Sequence, residues 1–149
     1  MQYMENQSIF VERLKEYIEE HNLNATILAK QIGCSRVTIS NILNKAHVPS
    51  SEVFYALIEY FHCSADYLLG FIEFPRDTKL APVQPFDICL RKCLKENNKN
   101  EANLRNDLKI SSSLTYRWLH GKAKPTVESL IKLKKFFGCS IDYLLGREK

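Results

Sequence analysis

Apolar residues near the start of the chain recur at the spacing of one face of an α-helix. They stand at Phe10, Leu14, Tyr17 and Ile18, three to four residues apart, and this spacing predicts a first helix over residues 9–21. No stretch alternates apolar and polar residues with a period of two. We therefore expect an all-α protein without a β-sheet.

Capping and turn residues divide the segment that follows. Asn24, Ser35 and Ser64 each precede a short apolar-periodic run, as residues that begin helices do. Gly33 suits the left-handed conformation that ends a helix. These signals predict further helices over 25–32, 36–44, 51–61 and 65–69.

The pattern then repeats. Residues 10–70 align without a gap on residues 86–146, and 19 of the 61 aligned pairs are identical. The three capping residues recur as Asn100, Ser111 and Ser140, and Thr126 stands where the first repeat has Ser50, after Pro49. We predict two tandem five-helix domains, arranged as follows: an N-terminal arm over 1–8, a first domain over 9–70, a linker over 71–85, a second domain over 86–146 and a tail over 147–149.

The linker carries Pro75, Pro82 and Pro85. Proline fixes φ and removes a hydrogen-bond donor, so we expect an extended segment. Its full length could span roughly 50 Å. We expect the apolar residues in 71–74 to pack onto the first domain and to shorten that reach.

Charge is unevenly distributed along the chain. The formal net charge is +4, but residues 10–70 carry 5 basic and 7 acidic residues, whereas residues 86–146 carry 12 and 6. The second repeat could therefore attract a polyanion, or its lysines could simply form a solvated face. No apolar run reaches the roughly 18 residues of a membrane span, and the N-terminus lacks secretory-signal features, so a cytoplasmic protein is expected.

The five cysteines show neither a disulfide framework nor CxxC spacing. Cys34, Cys63 and Cys139 are interpreted as small buried apolar residues. Cys89 and Cys93 lie four residues apart on one helix and could supply half of a metal site, but no second ligand pair has matching spacing. Structural thiols are favoured, and we expect no metal and no cofactor.

A family resemblance rests on the segment LAKQIGCSRVTISNIL (28–43), followed by Pro49-Ser50 and CSADYLLG (63–70). This combination resembles the XRE-type helix-turn-helix domain of lambdoid phage repressors and Cro, and it is present in both repeats. The resemblance implies lambda-repressor-like domains whose third helix enters the major groove of double-stranded DNA. It also implies a sequence-specific transcriptional regulator, a repressor, encoded by a bacterium or a phage.

The resemblance assigns base recognition to the outer face of the third helix, over 36–44 and 112–120. Arginine can bind guanine through two hydrogen bonds, asparagine can bind adenine, and valine can contact a thymine methyl group. In the first repeat these residues are Arg36, Val37, Ser40 and Asn41. In the second repeat they are Ser112, Ser113, Tyr116 and Arg117.

Other residues are assigned to the DNA backbone. Asn24 and Asn100 begin the second helices, where amide groups can hold phosphates. Ser35 and Ser111 are caps first and phosphate ligands second. Lysines that follow the third helices could add phosphate contacts: Lys45, Lys122 and Lys124.

The second repeat departs from the family pattern in its turn. Arg105, Lys109 and Thr115 stand where the first repeat has Ala29, Gly33 and Ile39. A lysine at positive φ costs on the order of 1 kcal/mol, so the packing of the two helices is in question. One repeat could therefore be a degenerate protein-interaction or dimerisation module, and only the other would bind DNA.

The fourth helix of the first repeat is unusually apolar, with Val53, Tyr55, Ile58 and Tyr60 beside its core residues. This surface could form a homodimer, contact the second repeat as a pseudo-dimer, or pack under the linker. Neither repeat offers paired carboxylates, a nucleophile with its base, or a phosphate-binding loop, so we expect no enzyme and no catalytic residues.

Overall fold

The computed structural model describes residues 2–45, 47–75 and 80–148, with only the backbone described for Gln2, Tyr3 and Lys45. All the regular secondary structure of the described residues is helical, with no strand, and this confirms the all-α prediction. The chain divides into two compact units, Met1–Lys79 and Leu80–Lys149.

Each unit contains five helices in the part of the chain that is described. The first has α1 Gln2–Glu20, α2 Ala25–Ile32, α3 Arg36–Lys45, α4 Ser51–Tyr60 and α5 Ala65–Leu68. The second has α6 Phe86–Glu96, α7 Glu101–Leu108, α8 Ser112–Leu119, α9 Val127–Phe137 and α10 Ile141–Leu144.

The predicted capping residues begin these helices. In the first unit, the side chains of Asn24 and Ser64 accept hydrogen bonds from the backbone N–H groups of Ile27 and Tyr67. Each such cap satisfies one backbone donor that the helix itself cannot. The caps predicted in the second unit are also confirmed: Asn100, Ser111, Thr126 and Ser140.

The two cores use equivalent positions. Burial of one large apolar side chain contributes roughly 1.5–3 kcal/mol, so a handful from each helix can hold a small unit together. The fully buried residues of the first unit include Phe10, Leu14, Leu28, Ile39, Phe54 and Leu68. Those of the second unit include Leu90, Leu104, Trp118, Leu130, Leu133 and Leu144.

The first helix begins at Gln2 rather than at Ile9, so the predicted arm over 1–8 is wrong as a separate segment. A long-range contact explains the extension. Asn6 is buried, and its side-chain Nδ2 donates to the carbonyl oxygen of Leu69 at the end of α5. The additional N-terminal turns of α1 are thereby held against the end of α5.

The linker is shorter than predicted because residues 80–85 lie against the second unit. The backbone N–H of Ala81 donates to the Arg147 carbonyl at 2.9 Å, and that of Gln84 donates to the Leu145 carbonyl at 2.8 Å. Near the first unit, Phe71 and Ile72 are half-buried, but Phe74 is 75% exposed. The expectation that Phe74 packs onto the first unit is therefore wrong.

The turn between α7 and α8 keeps the geometry of its counterpart between α2 and α3. Lys109 adopts φ 54° and ψ 46°, close to the φ 78° and ψ 32° of Gly33. The N–H of Lys109 donates to the Arg105 carbonyl, as that of Gly33 does to the Ala29 carbonyl. The lysine thus accepts the left-handed conformation, and the turn is retained.

The apolar residues of α4 are less exposed to solvent than the sequence suggested. Ile58 is fully buried and Tyr55 is 7% exposed, whereas Val53 and Tyr60 are half-buried. A homodimer through this helix therefore cannot use Ile58 or Tyr55 as exposed contacts.

Among the described residues, no helix is both long and apolar enough to cross a bilayer.

Candidate nucleic-acid interface

Helix α3 presents one face to the core and the other to solvent. Ile39 and Ile42 are buried, and they fix the rotation of the helix on the first unit. Arg36 and Val37 lie on the opposite side, where Arg36 is exposed and the Val37 side chain is 60% exposed. Ser40 and Asn41 are only half-buried. The four residues assigned to base recognition thus lie on the accessible part of α3.

Helix α8 has the same arrangement with a more exposed outer face. Thr115, Trp118 and Leu119 are buried. All four side chains assigned to base recognition in this unit are exposed: Ser112, Ser113, Tyr116 and Arg117. The outer face of α8 therefore offers hydroxyl groups, a phenol and a guanidinium to a partner.

The substitution of a threonine for Ile39 does not disturb this helix. Thr115 is fully buried, but its hydroxyl donates to the Ser111 carbonyl at 2.9 Å. A buried hydroxyl without such a partner would be costly. The polar atom is satisfied within α8, so the core position remains compatible with the fold.

Arg105 is accommodated in a different way. Its side chain is half-buried and lies 3.3 Å from the Glu101 carboxylate one turn earlier on α7. An exposed pair of this kind contributes little to stability. The pair does direct the guanidinium back along α7 towards Glu101.

Tyr116 forms a stack that the sequence analysis missed. Its ring lies 3.9 Å from the His120 ring at an interplanar angle of 22°, and Lys122 Nζ lies 5.8 Å from the tyrosine ring centroid. His120 Nδ1 is 2.8 Å from the Tyr116 carbonyl oxygen. The i,i+4 spacing of two rings on an exposed helix face was the signal that could have found it. The stack orders Tyr116 on the outer face.

The capping serines have their hydroxyl groups engaged within the protein. Ser35 Oγ accepts from the Thr38 N–H at 3.1 Å, and Ser111 Oγ accepts from the Leu114 N–H at 3.1 Å. Their role as caps is therefore confirmed. Their role toward phosphate stays a prediction.

The two asparagines also use their side-chain oxygens as caps. Asn24 Oδ1 accepts from the Ile27 N–H at 2.8 Å. Asn100 forms a reciprocal capping box with Asn103, through bonds of 2.8 and 3.0 Å. The capping atom is the side-chain oxygen in each case. Both residues are exposed at the start of the second helix of their unit. An amide nitrogen at this position is suited to donate to a phosphate.

The lysines that follow α8 are exposed. Gly121 adopts φ 68°, and the Lys122 N–H donates to the Arg117 carbonyl at 2.8 Å, so the chain reverses directly after the helix. Lys122 and Lys124 leave this turn on the surface. The side chain of Lys45, at the end of α3, lies outside the described residues.

Cys89 and Cys93 lie on α6, where their spacing made them candidates for half of a metal site. Within 2–45, 47–75 and 80–148, no three His, Cys, Asp or Glu residues are grouped so that they could hold a metal ion. Cys89 and Cys93 are buried. Burial raises the pKa of the Cys89 thiol, whereas contact with Cys139 and then burial raise the pKa of the Cys93 thiol.

Comparison with known families agrees with this geometry. Residues 11–70 match a helix-turn-helix domain, and residues 89–149 match the Cro/C1-type helix-turn-helix DNA-binding domain. The fold and the two matches define a protein with tandem helix-turn-helix DNA-binding domains. The chain belongs to the XRE-type helix-turn-helix family, with two repeats. No curated protein and no solved structure matches it significantly.

Proposed function

We propose that this protein is a sequence-specific transcriptional regulator that acts as a repressor, with α3 and α8 in the major groove of double-stranded DNA. The observation that carries the proposal is the outer face of α8. Its buried side is fixed by Trp118 and Leu119, while every side chain assigned to base recognition is exposed. A rigid helix with one polar accessible face is what the major groove accommodates.

Specific roles follow from the chemistry of the exposed groups. Arg36 and Arg117 would each bind guanine through two hydrogen bonds, and Val37 would contact a thymine methyl group. Asn41 would bind adenine. Tyr116, ordered by its stack on His120, would offer its hydroxyl and ring edge to a base or a sugar.

Two binding units on one chain support recognition of a bipartite site. Dimeric helix-turn-helix proteins bind half-sites about 34 Å apart, which is one turn of DNA. A tandem chain would do the same with two different half-sites, because α3 and α8 differ at all four positions assigned to base recognition. Occupation of such a site would block other proteins from the DNA, and this is how a repressor would act.

Selection of bound sequences from random duplex DNA tests this proposal. We expect a motif in two parts with a fixed spacing. Arg36→Ala and Arg117→Ala should each weaken binding to the selected site by about 1–3 kcal/mol, and each should relax base preference in one part of the motif. Lys132→Ala is a matched control, since Lys132 is an exposed cation on α9.

A second candidate function is favoured by the charge distribution. Residues 10–70 have a net charge of −2 (5 basic and 7 acidic residues), whereas residues 86–146 have +6 (12 and 6). Because cationic side chains that neutralise phosphates supply much of the affinity for DNA, the second unit could bind DNA alone. The first unit would then be an interaction module for another protein or another copy of the chain.

The same experiment separates the two candidates. A one-part motif, unaffected by Arg36→Ala and degraded by Arg117→Ala, would support the second candidate. If neither arginine affects binding, or if no motif is selected, both candidates fail.

A further inference from the structure

Each unit has a cleft between its first and its last helix, but the two clefts differ in size. In the first unit, the lining includes Tyr17 of α1 and Tyr67 of α5, and the volume is about 40 Å³. In the second unit, the lining includes the equivalent residues Cys93 of α6 and Tyr143 of α10, and the volume is about 200 Å³. The same place in the fold is therefore nearly closed in one unit and open in the other.

Two bulky side chains contact Tyr67 in the first unit. The Tyr17 ring is edge-on to Tyr67 at 6.1 Å. The Arg13 guanidinium lies 4.1 Å from the Tyr67 ring centroid and donates to the Ile72 carbonyl at 2.8 Å. A phenol ring and a guanidinium thus cover the last tyrosine of this unit.

Cysteines stand at both equivalent positions of the second unit. Cys89 corresponds to Arg13 and Cys93 to Tyr17, and both cysteines line the larger cleft. The smaller side chains cannot make the contacts that Arg13 and Tyr17 make. Because a phenol ring is what a tyrosine has and a cysteine lacks, the open volume corresponds to a missing phenol ring.

The size and the lining of the larger cleft suit a small neutral aromatic molecule. A cavity of about 150 Å³ is large enough to bind benzene. Pro85 contributes to an apolar wall, while Lys92 brings a cation and Glu148 a carboxylate. These two charges balance, so a neutral molecule leaves neither of them uncompensated. A hydroxyl group on that molecule could accept from the ammonium or donate to the carboxylate.

An exposed apolar side chain lies at the edge of the same cleft. Ile88 lines the cleft and is 60% exposed, whereas the first unit has the exposed Glu12 at this position. The cysteines are buried, so the cleft runs from a solvent-accessible edge to the interior of the second unit. A molecule that enters it would remove the apolar surface of Ile88 from water, which favours binding.

We propose that the cleft between α6 and α10 binds a small phenol, whose ring takes the place that the Tyr17 ring has in the first unit. The ring would contact Tyr143 and cover Ile88, and its hydroxyl group would bond to Lys92 or Glu148. None of the residues assigned to DNA lines this cleft. The inference is therefore independent of the proposed function and is tested without DNA.

Titration of the full chain with phenol, followed through the backbone amide NMR signals, tests the proposal. We expect saturable shifts at Ile88, Cys89, Cys93 and Tyr143, with a Kd on the order of 1 mM for a ligand of this size. The first unit is an internal control and should not shift. Cyclohexanol is the matched ligand without an aromatic ring, and it should bind about 2- to 10-fold more weakly because it cannot form the ring contact with Tyr143.

Substitutions at Cys93 distinguish an open cleft from a closed one. Cys93→Tyr restores the side chain of the first unit and should abolish the shifts. Cys93→Ala leaves the cleft open and should retain them. Lys95→Ala is the surface control, because Lys95 is an exposed cation of α6 that does not line the cleft.

Several results would overturn the proposal. They are the absence of a saturable shift in the unmutated chain, shifts spread over both units, undiminished binding in folded Cys93→Tyr, and equal binding of cyclohexanol. If Cys93→Tyr does not fold, the location of the shifts in the unmutated chain and the comparison of the two ligands decide the question.

Discussion

Arg147 and Asp142 form a buried ion pair at the end of the second unit. The distance between Arg147 Nη1 and Asp142 Oδ1 is 2.9 Å, and the side chains are 2% and 0% exposed. Arg147 Nε also donates to the Ala81 carbonyl at 3.1 Å. One arginine therefore neutralises a buried carboxylate and holds the incoming chain against the unit.

Loss of one partner should destabilise the second unit strongly. Arg147→Met would leave the Asp142 carboxylate buried without its cation, and such changes cost about 3–5 kcal/mol of unfolding free energy. Trp118 is the only tryptophan of the chain and is buried in the second unit, so its fluorescence follows this unfolding transition in denaturant.

A double variant is the control for this prediction. Arg147→Met combined with Asp142→Leu should be more stable than Arg147→Met alone, because no buried charge remains. A loss below about 1 kcal/mol in Arg147→Met would show that the buried pair does not hold the unit together.

A matched pair of substitutions tests the turns before α3 and α8. Lys109→Gly should stabilise the second unit by about 1 kcal/mol, because glycine adopts the φ of 54° without steric cost. Gly33→Lys should destabilise the first unit by a similar amount. A Cβ at Gly33 would have no atom within 4 Å, so the cost lies in the backbone alone. Circular dichroism in urea measures both. A loss of several kcal/mol for Gly33→Lys would mean that packing also matters.

Sequence patterns located most helices because the caps act locally. Asn24, Ser35 and Ser64 each bond to a backbone N–H three residues later, so a single chain segment carries the signal. The extension of α1 depends instead on Asn6, whose partner Leu69 lies 63 residues away. Helical periodicity contains no information about such a partner.

Helical periodicity also predicted which residues of the candidate site are exposed. Periodicity placed Arg36 and Arg117 on the outer faces of their helices, and both are exposed. A cavity of about 200 Å³ beside Cys93 in the second unit was not predictable from one repeat. In the first unit, Arg13 and Tyr17 contact Tyr67, and cysteines stand at the equivalent positions of the second unit. The smaller cysteines cannot make these contacts, so the cavity is apparent only when the two folded units are compared.

Trp118 should tolerate replacement by phenylalanine better than by alanine. Its ring is edge-on to Phe86 at 5.9 Å, and its buried Nε1 has no hydrogen-bond partner among the residues described. Trp118→Phe therefore loses some volume but no hydrogen bond, and should cost less than about 2 kcal/mol. Trp118→Ala should cost about 3–5 kcal/mol. Denaturation followed by circular dichroism compares the two variants, and equal losses would contradict this prediction.

The second unit should lose stability at high pH through Tyr143. Its hydroxyl donates to both carboxylate oxygens of Glu96, at 2.6 and 2.8 Å. This bond is the main reason why the pKa of Tyr143 rises from 10.0 to about 12. The folded unit holds the phenol proton more tightly than the unfolded chain does. The stabilisation is therefore complete below pH 10 and is lost as the pH rises to about 12.

Removal of the Glu96 charge should narrow this window. In Glu96→Gln, the pKa of Tyr143 should fall towards its ordinary value, as measured from the ring-carbon chemical shifts during a pH titration. Glu128→Gln is the control, because Glu128 is an exposed carboxylate on α9 and should leave the titration unchanged. Titration of Tyr143 near pH 10 in the unmutated chain would refute the assignment.

Salt dependence should separate backbone contacts from base contacts in the proposed complex. Lys122 and Lys124 are exposed beyond the end of α8, whereas Arg117 lies on its outer face. If each lysine neutralises one phosphate, each alanine substitution should reduce the slope of log K against log salt concentration by about 0.9. The preferred base sequence should stay the same. Arg117→Ala should instead change the base preference.

Binding titrations at several salt concentrations measure the slopes, with Lys132→Ala as the exposed-cation control. A slope unchanged by both lysine substitutions would place the phosphates elsewhere on the protein.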